Sequence, residues 1–226
     1  MTGAETGPEL VANAADLAVE VARVAAEISA DHPRGVTLVA VLKGSVVFLA
    51  DLARLVTVPV RIDLVAVAPY DGTTGRTRVV KDLDQPITDR HVVVVTGIVD
   101  TGLTADFLGR HLAGAGAARI RVATLADKPV RRILPTTPDY AAMVVPDRFL
   151  IGYGLDYRGR YRNLDSLWGV DGAALAADPD RYLDVLYPME PRPRHGGSRR
   201  FAGPPARAPT APARQTAAGP GPGNER

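Results

Sequence analysis

HVVVVTGIVDTGLTADFLGRHL, residues 91–112, is the stretch that decides the fold. Its first nine residues are nearly all apolar and β-branched, which reads as a strand buried on both faces. Asp100-Thr101-Gly102-Leu103-Thr104 then interrupts the run with small and polar residues, and ADFLGRHL resumes at helical spacing. A strand, a tight turn and a helix are the building unit of a parallel sheet. In such sheets ligands gather beyond the carboxyl ends of the strands. A turn of this kind opens a helix, so its backbone N–H groups and the helix dipole form a cradle for an anion.

The same unit occurs upstream. VTLVAVL (36–42) reads as a buried strand, Lys43-Gly44-Ser45 as the turn, and VVFLADLARLV as the helix. A Gly-Lys-Ser triplet alone says little, because the glycine spacing of a P-loop is missing. Two cradles on one sheet edge point to a ligand with two phosphate groups; ordinary turns between strand and helix remain the plain alternative. Apolar spacing from Pro8 to about Ala30 predicts a helix, stopped by Asp31-His32-Pro33. VRIDLVAVA (60–68), IRVATLA (120–126), AAMVV (141–145) and FLIGYGL (149–155) are further strand candidates, and PYDGTTGRTR (69–78) reads as a mobile loop. The fold class expected is α/β, a mainly parallel sheet flanked by helices.

Composition bounds the rest. The chain has 226 residues, 46% hydrophobic and 23% charged, with no cysteine. A disulfide scaffold, a cysteine metal site and a thiol nucleophile are therefore excluded. The first residues show no basic-then-apolar signal pattern, and no apolar run reaches the roughly 18 residues of a membrane span, so a cytoplasmic protein is expected, without membrane contact. From residue 187 onward the chain carries seven Arg against Glu190 and Glu225, and 15 of its last 40 residues are Gly or Pro. That composition predicts disorder for residues 188–226, beyond a folded domain at 1–187. We read the basic tail as a solvated extension rather than a nucleic-acid contact. The chain has 24 Arg but only three Lys, at 43, 81 and 128. A lysine in such a background hints that a compact ammonium is wanted. His32, His91, His111 and His195 show no metal-ligand spacing.

At this point the residues resemble a known family, the type I phosphoribosyltransferases, and within it the hypoxanthine-guanine branch. VLKGSVVFLADL is similar to its pyrophosphate loop, VVVVTGIVDTGLT to its signature for phosphoribosyl pyrophosphate (PRPP), and VPDRFLIGYGLDYRGRYRNL to its purine-binding hood. The resemblance spans roughly residues 8–187 and implies that family's fold, with a small hood. It implies that Lys43 and Gly44 line the pyrophosphate pocket, behind a peptide that in this family can be cis. It implies that Asp100, Thr101, Gly102, Leu103 and Thr104 hold the ribose 5′-phosphate, with Asp100 also the proton-transfer carboxylate at purine N7. Lys128 would hydrogen-bond the exocyclic oxygen at C6, Phe149 would stack on the base, and the Leu150 backbone would meet its other edge. Asp156 would bind Mg²⁺, Arg162 would contact pyrophosphate, and Tyr70 would sit in a loop closing over the site. The implied partners are PRPP and a purine-like base, in a homo-oligomer (dimer or tetramer).

For single residues the plainer readings stay open: Asp100 as a helix N-cap, Phe149 as core, Tyr70 as an ordinary loop residue. Two departures from the family pattern stand out. Thr96 and Gly97 occupy positions where the signature carries adjacent Glu and Asp, expected to hold the ribose hydroxyls and help organise magnesium. Pro69-Tyr70 replaces a Ser-Tyr pair. The altered acidic pair leaves three readings: a transferase, with a purine or a 7-deazapurine as acceptor; a non-catalytic sensor of PRPP or nucleotide; or a structural subunit.

Overall fold

The computed structural model describes residues 7–68 and 78–187. Of the loop expected at 69–78, residues 69–77, with Tyr70, lie outside the described residues, while Arg78 is already strand; the disorder expectation for 188–226 also lies outside them.

A six-stranded sheet forms the body, in the order β4-β3-β2-β5-β6-β7. Its strands are β2 (Val36–Val41), β3 (Val60–Ala68), β4 (Arg78–Lys81), β5 (His91–Val99), β6 (Arg119–Asp127) and β7 (Tyr140–Val144). All neighbours run parallel except β3 and β4. Helices α1 (Ala14–Asp31) and α2 (Val46–Leu55) cover one face, and α3 (Leu103–Gly114) the other. Burial on both faces explains the unbroken VVVV of β5, whose Val92, Val93, Val94 and Val95 are all buried. No helix among the described residues is long and apolar enough to cross a membrane.

The edge strand β4 was not anticipated. Lys81 fixes it: its ammonium donates to the Leu64 carbonyl at 2.9 Å, the Asp82 carbonyl at 2.9 Å and Asp84 Oδ2 at 3.0 Å. A small cation with rotatable donors suits three oxygens that converge without a common plane.

The first helix is shorter than its periodicity predicts. Glu9–Ala12 is a strand, β1, and α1 begins only at Ala14. Asn13 sets the boundary. Its side chain accepts from the Ala15 and Asp16 amides at 2.8 and 3.0 Å, while Asp16 accepts from the Asn13 amide at 3.2 Å. Such reciprocal capping fixes a helix start more firmly than apolar spacing does. Leu17, Val21, Val24 and Ile28 then form the buried stripe.

Strand β1 belongs to a second, antiparallel sheet of order β1-β9-β8, with β8 at Phe149–Ile151 and β9 at Leu167–Val170. The expected strand over 149–155 therefore stops at Ile151. Gly152 and Gly154 take positive φ, and Gly152 turns back to bridge Leu155. Two short helices, α4 (Gly172–Ala177) and α5 (Leu183–Leu186), close this hood around Ile151, Tyr161, Leu164 and Leu175.

Candidate active site

The carboxyl ends of β2, β5 and β6 meet under the hood. Here a cleft of about 540 Å³ is lined by Gly44, Asp100, Lys128, Phe149, Leu150 and Asp156, among others. A smaller cavity of about 90 Å³ lies beside it, lined by Thr96, Asp100, Thr101, Gly102 and Thr104. Asp100 borders both.

The turn after β5 is set by Gly102, the residue preceding α3, with φ of +86°. A Cβ there would stand 3.1 Å from the Leu134 carbonyl oxygen and 3.2 Å from Arg132 Cδ, so both conformation and space demand glycine. The Thr101 carbonyl accepts from the amides of Ile133 and Leu134 at 3.0 and 3.1 Å, which ties the turn to the segment after β6. The Thr101 hydroxyl accepts weakly from the Leu103 amide at 3.4 Å. The Asp106 amide is the first to bond back into the helix, onto Gly102. Thr101, Gly102, Thr104 and Ala105, which precede it, line the small cavity, an arrangement suited to an oxyanion.

Asp100 is not the N-cap that its place before a helix suggests; Gly102 holds that position. The Asp100 carboxylate instead turns toward Arg131, whose Nε lies 3.4 Å from Oδ1. Arg131 also reaches Asp147 at 3.6 Å, and all three residues line the cleft. Neither Arg131 nor Asp147 was singled out from the sequence. The available signals were weak: an arginine three residues after Lys128, and an acid in the Pro146-Asp147-Arg148 turn before β8.

Lys128 is only 5% exposed, and its ammonium donates to the Arg148 carbonyl. Burial pushes its pKa below the usual lysine range, while the nearby Asp100 and Asp147 carboxylates pull it back up. Phe149 is 38% exposed, so the core reading of that residue does not hold. Its ring meets Tyr157 edge-on at 5.6 Å, while its neighbour Leu150 is buried. The alternation of β8 turns Leu150 into the core shared with the body and leaves Phe149 on the opposite face, at the border of the cleft.

Asp156 and Arg162 form an ion pair at 2.6 Å, and Asp156 Oδ2 accepts from the Gly159 amide at 2.7 Å. Arg162 also donates to the Gly154 carbonyl at 2.7 Å. The Leu42–Lys43 peptide is cis. Lys43 has an exposed side chain and does not line the cleft, and Leu103 points outward from α3. The Ser45 hydroxyl is fully buried and donates to the Val41 carbonyl at 2.6 Å, so the first cradle uses its backbone alone.

Residues 9–158 match the phosphoribosyl transferase domain. This chain is 37% identical over 169 residues to the hypoxanthine-guanine phosphoribosyltransferase of Mycobacterium tuberculosis (strain H37Rv), covering 74% of this chain and 84% of that protein. The chain belongs to the phosphoribosyltransferase family. Within the family its likeness is to the hypoxanthine-guanine branch. The Streptococcus mutans enzyme of that name is 37% identical over 153 residues, covering 66% of this chain and 85% of that one. A crystal structure of a hypoxanthine-guanine phosphoribosyltransferase from Bacillus anthracis superposes with a TM-score of 0.69 at 37% identity, over 72% of this chain and 98% of that chain. A family fold is thus retained with Thr96 and Gly97 inside its signature strand.

Proposed function

We propose that this protein transfers a phosphoribosyl group from PRPP to a purine base, giving a nucleoside 5′-monophosphate and pyrophosphate. The observation that carries this reading is the shared wall of the two cavities. Asp100 stands between a small anion pocket at the amino end of α3 and a larger cleft that holds Lys128 and the open face of Phe149. A ligand with a phosphate in the first and a flat heterocycle in the second brings the ribose between them.

The purine ring nitrogen forms a bond to the ribose anomeric carbon as the bond to pyrophosphate breaks, and the base gives up one proton. Asp100 is placed to take or share that proton, with Arg131 beside it to stabilise the carboxylate. Lys128 offers its ammonium, already lodged against the Arg148 carbonyl, to an exocyclic oxygen of the base. Burial makes that hydrogen bond stronger than it is in water. Phe149 supplies a stacking face. Gly44 gives the leaving pyrophosphate close backbone approach, and the guanidinium of Arg162, held by Asp156 and the Gly154 carbonyl, brings positive charge close to that turn.

Magnesium fits this donor set in a limited way. Among the described residues no three acidic or histidine side chains are grouped as a metal cage. Asp156 is a single carboxylate, already engaged by Arg162 and the Gly159 amide. One carboxylate, water and substrate phosphates suffice for Mg²⁺, which would supply charge neutralisation on the pyrophosphate. Asp156 is the residue to hold it there.

The test is release of pyrophosphate by purified protein with PRPP and Mg²⁺ against a panel of purines and 7-deazapurines. Release with hypoxanthine or guanine is expected. Saturable PRPP binding without release for any base would favour the sensor reading.

A further inference from the structure

At the opposite edge of the sheet, the amino ends of three adjacent strands each bring an arginine. Arg34 precedes β2, Arg61 is the second residue of β3, and Arg90 immediately precedes β5. All three line one cavity of about 760 Å³, with His32 and His91 in its wall. Arg119 opens β6 in register with His91, one strand further along. Neighbouring strands lie about 4.8 Å apart, so the four arginines form a staggered row rather than a scatter.

None of the four has a side-chain hydrogen bond or ion pair among the described residues. That is not the habit of this protein, where Arg23, Arg54, Arg110, Arg121, Arg132 and Arg160 each pair with a carboxylate. The acids near the row do not neutralise it. Asp31 is already committed, accepting from the Tyr140 hydroxyl at 2.8 Å and facing Arg121 at 3.7 Å. Asp31 and Asp89 both line the cavity beside the three arginines, and of the two acids Asp31 is the one engaged by Tyr140 and Arg121. Helices α1, α2 and α3 each end a few residues before the next strand begins, so their carboxyl ends face this edge. Each contributes partial negative charge that helps hold the arginines in place, and the cavity's own side chains, three arginines against Asp31 and Asp89, leave a net charge of +1.

We propose that this cavity is a binding site for a small polyphosphate anion, separate from the cleft at the carboxyl ends of the strands. Guanidinium groups are the side chains best matched to phosphate oxygens, and the cavity is of the size that holds a nucleotide-scale ligand, roughly 300–1,000 Å³. Free guanidinium groups from neighbouring strands, converging on one concavity, suit several phosphates in line better than a lone carboxylate or sulfate. Inorganic triphosphate and a nucleoside triphosphate share this chemistry.

The test is hydrogen–deuterium exchange of the full-length protein with and without inorganic tripolyphosphate, and separately with ATP, without magnesium. Slowed exchange is expected in peptides covering 31–37, 58–62 and 87–92. In Arg34→Gln/Arg61→Gln/Arg90→Gln that protection should vanish and the affinity measured there should fall at least tenfold. Arg61→Gln, at an exposed position, gives a milder loss that remains readable if the triple variant unfolds. ATP binding tenfold tighter than tripolyphosphate marks a nucleotide site, and equal binding marks a site that reads phosphate alone. Protection confined to residues 43–45 and 100–104 or to the arginine-rich tail, or protection unchanged in the variants, overturns the proposal.

Discussion

Leu155 fills the space that a side chain at position 97 would need. A Cβ built on Gly97 stands 2.7 Å from Leu155 Cδ2 and 3.2 Å from the Gly44 carbonyl oxygen. On its other side, that same carbonyl lies 2.7 Å from where a Cβ of Gly154 would be. The Gly44 turn is thus wedged between two glycines, and the hood reaches down to β5 through Leu155. The loss of the acidic pair is therefore accompanied by packing that occupies its place.

Restoring the pair as Thr96→Glu with Gly97→Asp is accordingly expected to lower PRPP-dependent turnover. The aspartate must displace Leu155 and crowd the Gly44 backbone, an overpacking cost of about 1–3 kcal/mol. Gly97→Ala should show the same strain in a urea melt. In a double-mutant cycle with Leu155→Ala the penalty should shrink by at least about 0.5 kcal/mol, because the shortened side chain makes room. A tenfold or greater gain in turnover of hypoxanthine or guanine by the Glu-Asp variant would show instead that the site is merely impaired.

Asp100→Asn separates chemistry from fold cleanly, because Asp100 caps nothing and Gly102 sets the helix start. The folded state should be retained, with an unchanged melting profile. Steady-state turnover should fall by about 10²–10⁴, the span of general acid–base effects. Turnover within a fewfold of the parent would remove Asp100 from proton transfer.

Stability should decline on mild acidification through His32. It is buried between α1 and the sheet, its Nδ1 3.1 Å from His91 Nδ1 and its Nε2 3.3 Å from the Tyr140 hydroxyl. Desolvation first, then the charges of His91, Arg119 and Arg121, hold its pKa below the usual imidazole range, against the opposing pull of Asp31. A depressed pKa in the folded state means that the unfolded chain takes up the proton first. The stabilisation is therefore complete above the unfolded value of about 6.5 and drains away as pH falls below it. Urea midpoints at about pH 7.5 and 5.5 should show the drop, and His32→Gln should reduce it. Equal midpoints in the parent protein would contradict the assignment.

Deleting residues 190–226 should leave melting temperature and transferase activity unchanged. The hood core closes with Leu186 and Tyr187, the latter donating to Asn163 Oδ1 at 2.7 Å. The segment beyond has too few apolar residues to build further core. A clear loss of thermal stability on truncation would show that the tail docks on the body.

Much of the architecture was written locally. The valine run of β5, the two turns that open α2 and α3, and the alternation of apolar strands with helices gave the parallel sheet from the sequence, because period and turn chemistry are properties of neighbouring residues. That Asp100, Lys128, Phe149 and Asp156 would line one cleft was also legible, since their motifs fix which strand end or turn each occupies, and the sheet brings those ends together. What sequence reading missed depended on distant partners. Glu9–Ala12 carries a helical pattern of apolar residues but is a strand because β9 waits for it, and Asn13 cuts the helix short. Arg131 comes to Asp100 only because the segment after β6 folds back and hydrogen-bonds the Thr101 carbonyl. Arg34, Arg61 and Arg90 are ordinary surface residues in the chain, and become one charged edge only when three parallel strands are laid side by side. Gly97, which in the sequence is a lost carboxylate, is in the fold the place where Leu155 and Gly44 must pass. Excluded volume between segments far apart in the chain decided that, and no local pattern records it.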